Sequence, residues 1–318
     1  MRVAVVGAGI AGLSTAARLA TDHDVVVLER NDTIGGRLGT IAIGGATFDA
    51  GAQFFTVRGD DLRARTDDWL ERGVAFEWCR GFGAADGYPR YAGAGGMSTL
   101  AIDLADGLDV RTRHMVFSLE RLEDGWSVML DDASRLEVDA VVITCPVAQA
   151  WALLAQSDVE LPDELARSEF RRIIAALLTL DAPSTVPDPG GVQLDPADPH
   201  AVFGFVADNQ RKGISDVPAV TLHASWAWSS DQWDDSDADV TEQLVAGASE
   251  WVDPASIVAT TIRRWRFAAP AAPWPDPCWV DDEHRVVVAG DLFAGPKIEG
   301  AFDSGLAAAA AVAGFVEP

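Results

Sequence analysis

Residues 1–29 limit most sharply what this chain can fold into. A strand-like run, Arg2-Val-Ala-Val-Val6, breaks into Gly7-Ala8-Gly9-Ile10-Ala11-Gly12. A helical stretch follows to about Ala20, and a second apolar run, Val25-Val26-Val27-Leu28, ends on Glu29, 22 positions after the first glycine. Strand, glycine turn, helix, strand and acid is the order in which a dinucleotide is held. Gly7 allows the tight turn, Gly9 lets a diphosphate approach the backbone, and Gly12 lets the helix pack close to its strand. The helix start, with Ala11 in it, offers unpaired N–H groups and a positive dipole end to the phosphates. Glu29 is expected to accept hydrogen bonds from the adenosine ribose hydroxyls and to repel a 2′-phosphate, with Arg30 beside it in the same site.

The next segment selects the dinucleotide. Gly35-Gly36-Arg37 follows, then a strand pair around Ile41 and Phe48, then Asp49-Ala50-Gly51-Ala52-Gln53-Phe54-Phe55. A nicotinamide dehydrogenase runs from its second strand into another helix and strand. A second glycine pair with an arginine, this soon after the ribose acid, resembles the flavoproteins that include glutathione reductase and the amine oxidases. That resemblance implies FAD as the cofactor, with Gly36, Arg37, Gly51, Ala52 and Gln53 near its diphosphate and ribityl chain.

Composition agrees with a two-lobed flavoprotein. At 318 residues the chain exceeds the usual single-core size. A net charge of −25 and a pI near 4.3 argue against nucleic acid or an anionic membrane as partner. Lys212 and Lys297 are the only lysines, so most of the positive charge is arginine. Cys79, Cys145 and Cys278 are odd in number and far apart, which suits a reducing compartment. With the nucleotide strand starting at residue 2 there is no room for a signal peptide, and no apolar run is long enough to span a bilayer. A cytoplasmic protein, monomer or homodimer, is expected.

Along the chain, residues 60–72 read as an amphipathic helix and residues 74–78 as an alternating strand. A loop at 81–87 and an extended piece at 88–91 complete the first excursion into a substrate lobe. Gly95-Gly96-Met97-Ser98 opens a helix to about Leu104 and resembles the return turn of amine-oxidase-type chains. A β meander over residues 110–138 then feeds the buried run Ala140-Val-Val-Ile-Thr144, with Cys145-Pro146 closing the crossing. By resemblance, Val116 lends backbone bonds to the adenine.

Residues 147–280 carry fewer signals. Segments 149–154 and 164–170 look helical and 173–180 looks like a strand. Residues 181–200 hold five prolines and read as loop. Runs 202–206 and 219–224 read as strands. Trp226, Trp228, Trp233, Trp251, Trp265, Trp274 and Trp279 are dense enough to serve a flat ligand, and equally suit core packing. Asp235, Asp237 and Asp239 mimic the spacing of a calcium loop. However, Val240 stands where its glycine belongs and Ala246 where its bidentate acid belongs. Those acids are expected to cap a helix starting near Asp239, and the five histidines show no ligand spacing, so no metal is expected.

The C-terminal stretch holds the other half of the site. A buried strand over 285–289 leads into Gly290-Asp291, a loop, and Ile298-Glu299-Gly300-Ala301 opening an alanine-rich helix to about Phe315. Asp291 is expected on the ribityl hydroxyls. The helix start at Ile298, Glu299 and Ala301 would point its dipole at the flavin edge where charge develops on reduction. The expected fold is α/β: a Rossmann-type FAD lobe (1–57, 93–146 and 284–318), like that of glutathione reductase and amine oxidases. A second, α+β substrate lobe (58–92 and 147–283) would contain a mixed sheet.

Asp49-Ala-Gly-Ala-Gln-Phe-Phe-Thr56, Gly95-Gly-Met-Ser98, Thr221-Leu-His-Ala-Ser225, Arg264-Trp-Arg-Phe267 and Gly290-Asp291 with Ile298-Glu-Gly-Ala301 together resemble the renalase family, over the whole chain and in order. That resemblance implies a noncovalent-FAD oxidase. It would take hydride from 2- or 6-dihydro-NAD(P), return NAD(P)+ and pass electrons to O2 as H2O2. Amine oxidation fits less well. Asp291 to Glu299 holds no cysteine for covalent flavin, Lys297 is in the FAD loop, Lys212 is in a polar loop, and only Tyr88 and Tyr91 could build an amine cage. A dihydropyridine needs little acid–base help because aromatisation drives hydride loss, so positioning supplies most of the catalysis. Gly93-Ala94-Gly95-Gly96 follows no buried strand, so the substrate itself is expected to reduce the flavin. Gln53, Phe54, His223, Trp226 and Trp265 are the candidate pocket residues. A flavin amine oxidase or desaturase, or a flavin-binding protein with weak chemistry, remain as alternatives.

Overall fold

A computed structural model describes residues 1–83, 86–155, 157–195, 198 and 200–315. Positions 84, 85, 196, 197 and 199 of the loops expected at 81–87 and 181–200 lie outside the described residues. The central sheet has six strands in the order Trp279–Asp281, Val286–Val288, Ala140–Ile143, Arg2–Val6, Asp24–Glu29 and Asp109–Thr112. All neighbours are parallel except the first hairpin. Its four inner strands are apolar almost without interruption because both faces are covered. Val3, Val5, Val25, Val27, Ala140 and Val142 point into one core, while Ala4, Val6, Val26, Leu28, Val141 and Ile143 point into the other.

Two helices, Ile10–Leu19 and Ile298–Ala313, pack together on the first of those faces. Thr15 Oγ1 donates to the Gly305 carbonyl at 2.9 Å and Ser14 Oγ to the Phe302 carbonyl at 3.3 Å. A side chain at Gly305 would run into Ser14 and the Ala11 carbonyl. The two ends of the sequence are thereby locked side by side. An antiparallel meander, Val116–Leu122, Gly125–Leu130 and Arg135–Val138, lies over the other face with Trp126 in its core.

The second sheet runs Gly191–Gln193, Phe203–Asp208, Ala219–Ala224, Phe170–Leu180 and Ile257–Pro270. It is antiparallel at every pairing. The mixed sheet expected in the second lobe is therefore the six-stranded one, because hairpin-type returns here leave no parallel neighbours. Ile174, Ala176 and Leu178 face a core closed by Val240 and Leu244 of the Asp237–Gly247 helix. Residues of opposite parity look the other way, towards a cavity between the two sheets.

Several local expectations are corrected. The helix expected at 164–170 is confined to Asp163–Ala166, and the strand starts at Phe170, three residues before the expected Ile173. Gly191–Gln193 is a short strand inside the expected loop, and Ile257–Pro270 is a long strand that the sequence reading missed. The cap of the Asp237–Gly247 helix is the Ser236 hydroxyl, which accepts from the Asp239 N–H at 3.2 Å. Asp237 and Asp239 sit in its first turn, where negative charge suits the dipole. Among the described residues no helix is long and apolar enough to cross a membrane.

Candidate functional site

The glycine turn folds as its spacing requires. Gly7 has φ of +106°, its N–H donates to Leu28 O at 2.8 Å, and a Cβ at Gly12 would run into the Gly7 carbonyl. Gly9 has open space on its Cβ side, and the Ile10–Leu19 helix begins without a side-chain cap. A phosphate can therefore approach bare backbone at that helix start. The second glycine pair docks on the first turn, with the Gly35 N–H donating to Ala8 O at 2.8 Å. The last helix also begins without a side-chain cap, at Lys297.

These two helix starts open on one cavity of about 2240 Å³. Ligand pockets usually span roughly 300–1,000 Å³, so this one has room for a large dinucleotide and a second molecule. Gly7, Gly9, Ala11, Glu29, Arg30, Gly36, Arg37, Gly51, Ala52, Val116, Gly290, Asp291, Ile298, Glu299 and Ala301 all line it. Gly12 lies behind the wall as packing. The uncapped backbone, the bare Gly9 and the volume fit an FAD molecule bridging both ends of the chain.

Four of these side chains are also engaged with protein. Glu29 accepts from the Ala8 N–H at 3.0 Å and from the Asn31 side chain at 2.6 Å, so the carboxylate ties the glycine turn to the second strand's end. Glu299 Oε1 accepts from the Arg58 and Gly59 N–H groups, both at 2.7 Å, next to the Asp60–Glu71 helix. Arg37 and Asp291 bond to each other through two contacts of 2.6 Å. Arg37 also donates to the Phe267 and Ala268 carbonyls at 3.1 Å.

Residues 49–53 form a strap between the sheets. The Ala50 carbonyl accepts from His223 Nε2 at 3.1 Å and from Trp265 Nε1 at 2.9 Å. Asp49 is fully buried and accepts from Thr40 Oγ1, the Met97 N–H and Lys212 Nζ. Lys212 is itself buried, also donates to Gln53 O at 2.5 Å, and lies 5.0 Å from the Trp78 ring centroid. The polar-loop position expected for Lys212 is corrected: its neighbours are hydrophilic, but Asn209 and Lys212 both turn inward to the strap. Gln53 is likewise turned inward, donating to the Asp49 and Gly51 carbonyls, and does not line the cavity.

Phe54, His223, Trp226 and Trp265 do line it. Register explains why. Gln193, Phe205, His223, Ala175 and Arg263 are directly opposite one another across five strands, so their side chains share one face. Phe54 packs on Phe205 at 5.7 Å and on Phe82 at 5.2 Å. Because a carbonyl can only accept, His223 must donate from Nε2, and in the neutral imidazole Nδ1 is left as an acceptor. Burial holds His223 below its ordinary pKa, which keeps it neutral near pH 7. Phe205 and Arg263 escaped the sequence reading; the alternation in the strand bearing Arg263 is blurred by arginines at adjacent positions.

Residues 72–313 match the flavin containing amine oxidoreductase family, and residues 5–68 match an NAD(P)-binding Rossmann-like domain. The fold is similar to that of a protein assigned as a protoporphyrinogen oxidase from Exiguobacterium sp. 255-15. The TM-score is 0.75 at 12% identity, covering 98% of each chain. Cyclohexylamine oxidase from Brevibacterium oxydans IH-35A is similar with TM-score 0.70 and 16% identity, again over 98% of each chain. A 4,4'-diapophytoene desaturase from Staphylococcus aureus (strain Newman) is 46% identical over 52 residues, 16% of this chain and 10% of the desaturase. This chain thus aligns with only a small part of that enzyme's length.

Proposed function

Because the chain belongs to the flavin containing amine oxidoreductase family and is an FAD-dependent oxidoreductase, we propose that it is a renalase-like oxidase of 2- or 6-dihydro-NAD(P). The overall reaction takes dihydro-NAD(P), O2 and a proton to NAD(P)+ and H2O2. Bound FAD supplies the hydride acceptor and the route of electrons to oxygen.

One observation carries this reading. The cavity wall formed by the antiparallel sheet presents aromatic rings, a neutral imidazole and arginines, and no carboxylate among its described lining residues. An ammonium substrate would be repelled by those arginines and would find no acid to hold it. A flat dihydropyridine finds Phe54, Phe205 and Trp265 to lie against. His223 Nδ1, on the same face, can accept from a carboxamide N–H. No side chain has to remove a proton, since loss of hydride makes the ring aromatic and positioning is what the wall supplies. Negative charge that develops on the far side of the cavity meets the uncapped start of the last helix.

Flavin amine oxidation or desaturation is the second reading, favoured by the family itself. Product analysis separates the two. With 6-dihydro-NAD in air, NAD+ and H2O2 should form in equal amounts while cyclohexylamine and putrescine are left intact. Consumption of either amine with release of H2O2, and no turnover of dihydronicotinamides, would reverse the assignment.

A further inference from the structure

We infer that Arg171, Arg263 and Arg266 form an anion subsite for the diphosphate of the dinucleotide substrate, an inference that rests on the proposed function above. The chain has 49 acids against 24 lysines and arginines, and many of its arginines hold a carboxylate. Indeed Arg72, Arg80, Arg111 and Arg135, on the outer surface, each hold one. Among the described residues Arg171, Arg263 and Arg266 hold none, although all three are exposed and line the cavity.

Among the described residues five acids line the cavity, none of them on this wall, and all but Asp32 are occupied. Asp291 is paired with Arg37, Asp86 with Arg90, and Glu29 and Glu299 hold backbone N–H groups. A cavity rich in unpaired guanidinium groups inside a protein of net charge −25 focuses the field for an anion.

Geometry supports one ligand for the set. Arg263 shares its row with His223, and the residue between them is the buried Ala175. Arg171 lies four residues along the same strand face, about 13 Å away at the usual rise per residue. Its guanidinium stacks on Trp226 at 5.3 Å, which fixes the plane and leaves the N–H edges free for a phosphate. Between Trp265 and Ala269 the register slips by a bulge, so Arg266 turns to the cavity next to Trp265 instead of away from it. The FAD diphosphate has its own place at the Gly9 turn, so these cations are not needed for it. A dinucleotide whose nicotinamide lies near His223 would lay its diphosphate across them.

The test uses the FAD-loaded enzyme and ADP-ribose, the substrate without its nicotinamide, with binding measured by calorimetry. Binding should weaken roughly ten-fold for each arginine removed in R171Q and R263Q, and further with added salt. The neighbouring R172Q changes net charge equally but stacks on Trp233 at 5.1 Å outside the cavity, and should bind as the wild type does. Retained flavin absorbance shows that each variant is folded. No binding by the wild type, or equal binding by all variants, overturns the subsite. Arginine-dependent binding of ADP-ribose, in an enzyme whose flavin no dihydronicotinamide reduces, upholds the subsite and refutes the dihydronicotinamide reading.

Discussion

Arg37 and Asp291, 254 positions apart, meet through two hydrogen-bonded contacts of 2.6 Å. One belongs to the glycine-arginine turn that follows the first nucleotide strand and helix, and the other begins the loop into the last helix. The pair closes the cavity wall where the two ends of the chain converge. A fork-to-fork guanidinium–carboxylate contact fixes orientation as well as distance.

Asp291→Ala should weaken FAD binding by about 1.5–3 kcal/mol, the usual worth of a hydrogen bond to a charged group. Arg37→Lys should weaken it too, because an ammonium cannot satisfy both carboxylate oxygens and two carbonyls in one plane. Fluorescence titration of the apoproteins with FAD measures this. Wild-type affinity in both variants would remove the pair from the site.

Lys212→Met should destabilise the protein by about 3–5 kcal/mol, since it strands the fully buried Asp49 without its cation. K212M/D49N should recover part of that loss. Calorimetric melting of the two variants decides the matter; a Lys212→Met protein as stable as wild type would mean the strap needs no ion pair.

His223 gives the stability a pH signature. Its folded pKa is depressed by burial, so its contribution is present above the ordinary histidine value of about 6.5. As the pH falls below that value the unfolded imidazole takes a proton that the folded one refuses. Stability then drops by up to about 1.4 kcal/mol per unit until the folded pKa is passed. His223→Gln should melt with a flatter pH dependence between 7 and 5, the difference between the two proteins isolating this group from the many carboxylates. Parallel curves would show that His223 is not buried neutral.

Acid precipitation should release yellow FAD to the supernatant. Cys145 is the one cysteine among those lining the cavity, and burial pushes its thiol up to about 12, far from the thiolate needed for attachment. A yellow pellet would contradict this.

The Rossmann half of the fold was legible because its constraints are local. Gly7 must adopt a left-handed turn, Gly12 must carry no side chain, and buried parallel strands must be apolar on both faces. Residues whose role depends on a distant partner were harder to read. Lys212 looks solvated beside Asn209, Gln210 and Arg211 until Asp49 is brought to it across 163 positions. Gln53 sits in a strap with cavity residues on both sides, yet its amide bonds back to the strap's own carbonyls. The arginine-rich run within Ile257–Pro270 hides its alternation, because the bulge after Trp265 sends consecutive residues to one side.

The most direct measurement is anaerobic mixing of the FAD-loaded enzyme with 6-dihydro-NAD, ordinary NADH, cyclohexylamine and putrescine in turn, following the flavin absorbance. Rapid bleaching by 6-dihydro-NAD alone is the predicted result. Bleaching by an amine, with 6-dihydro-NAD leaving the flavin oxidised, would contradict it.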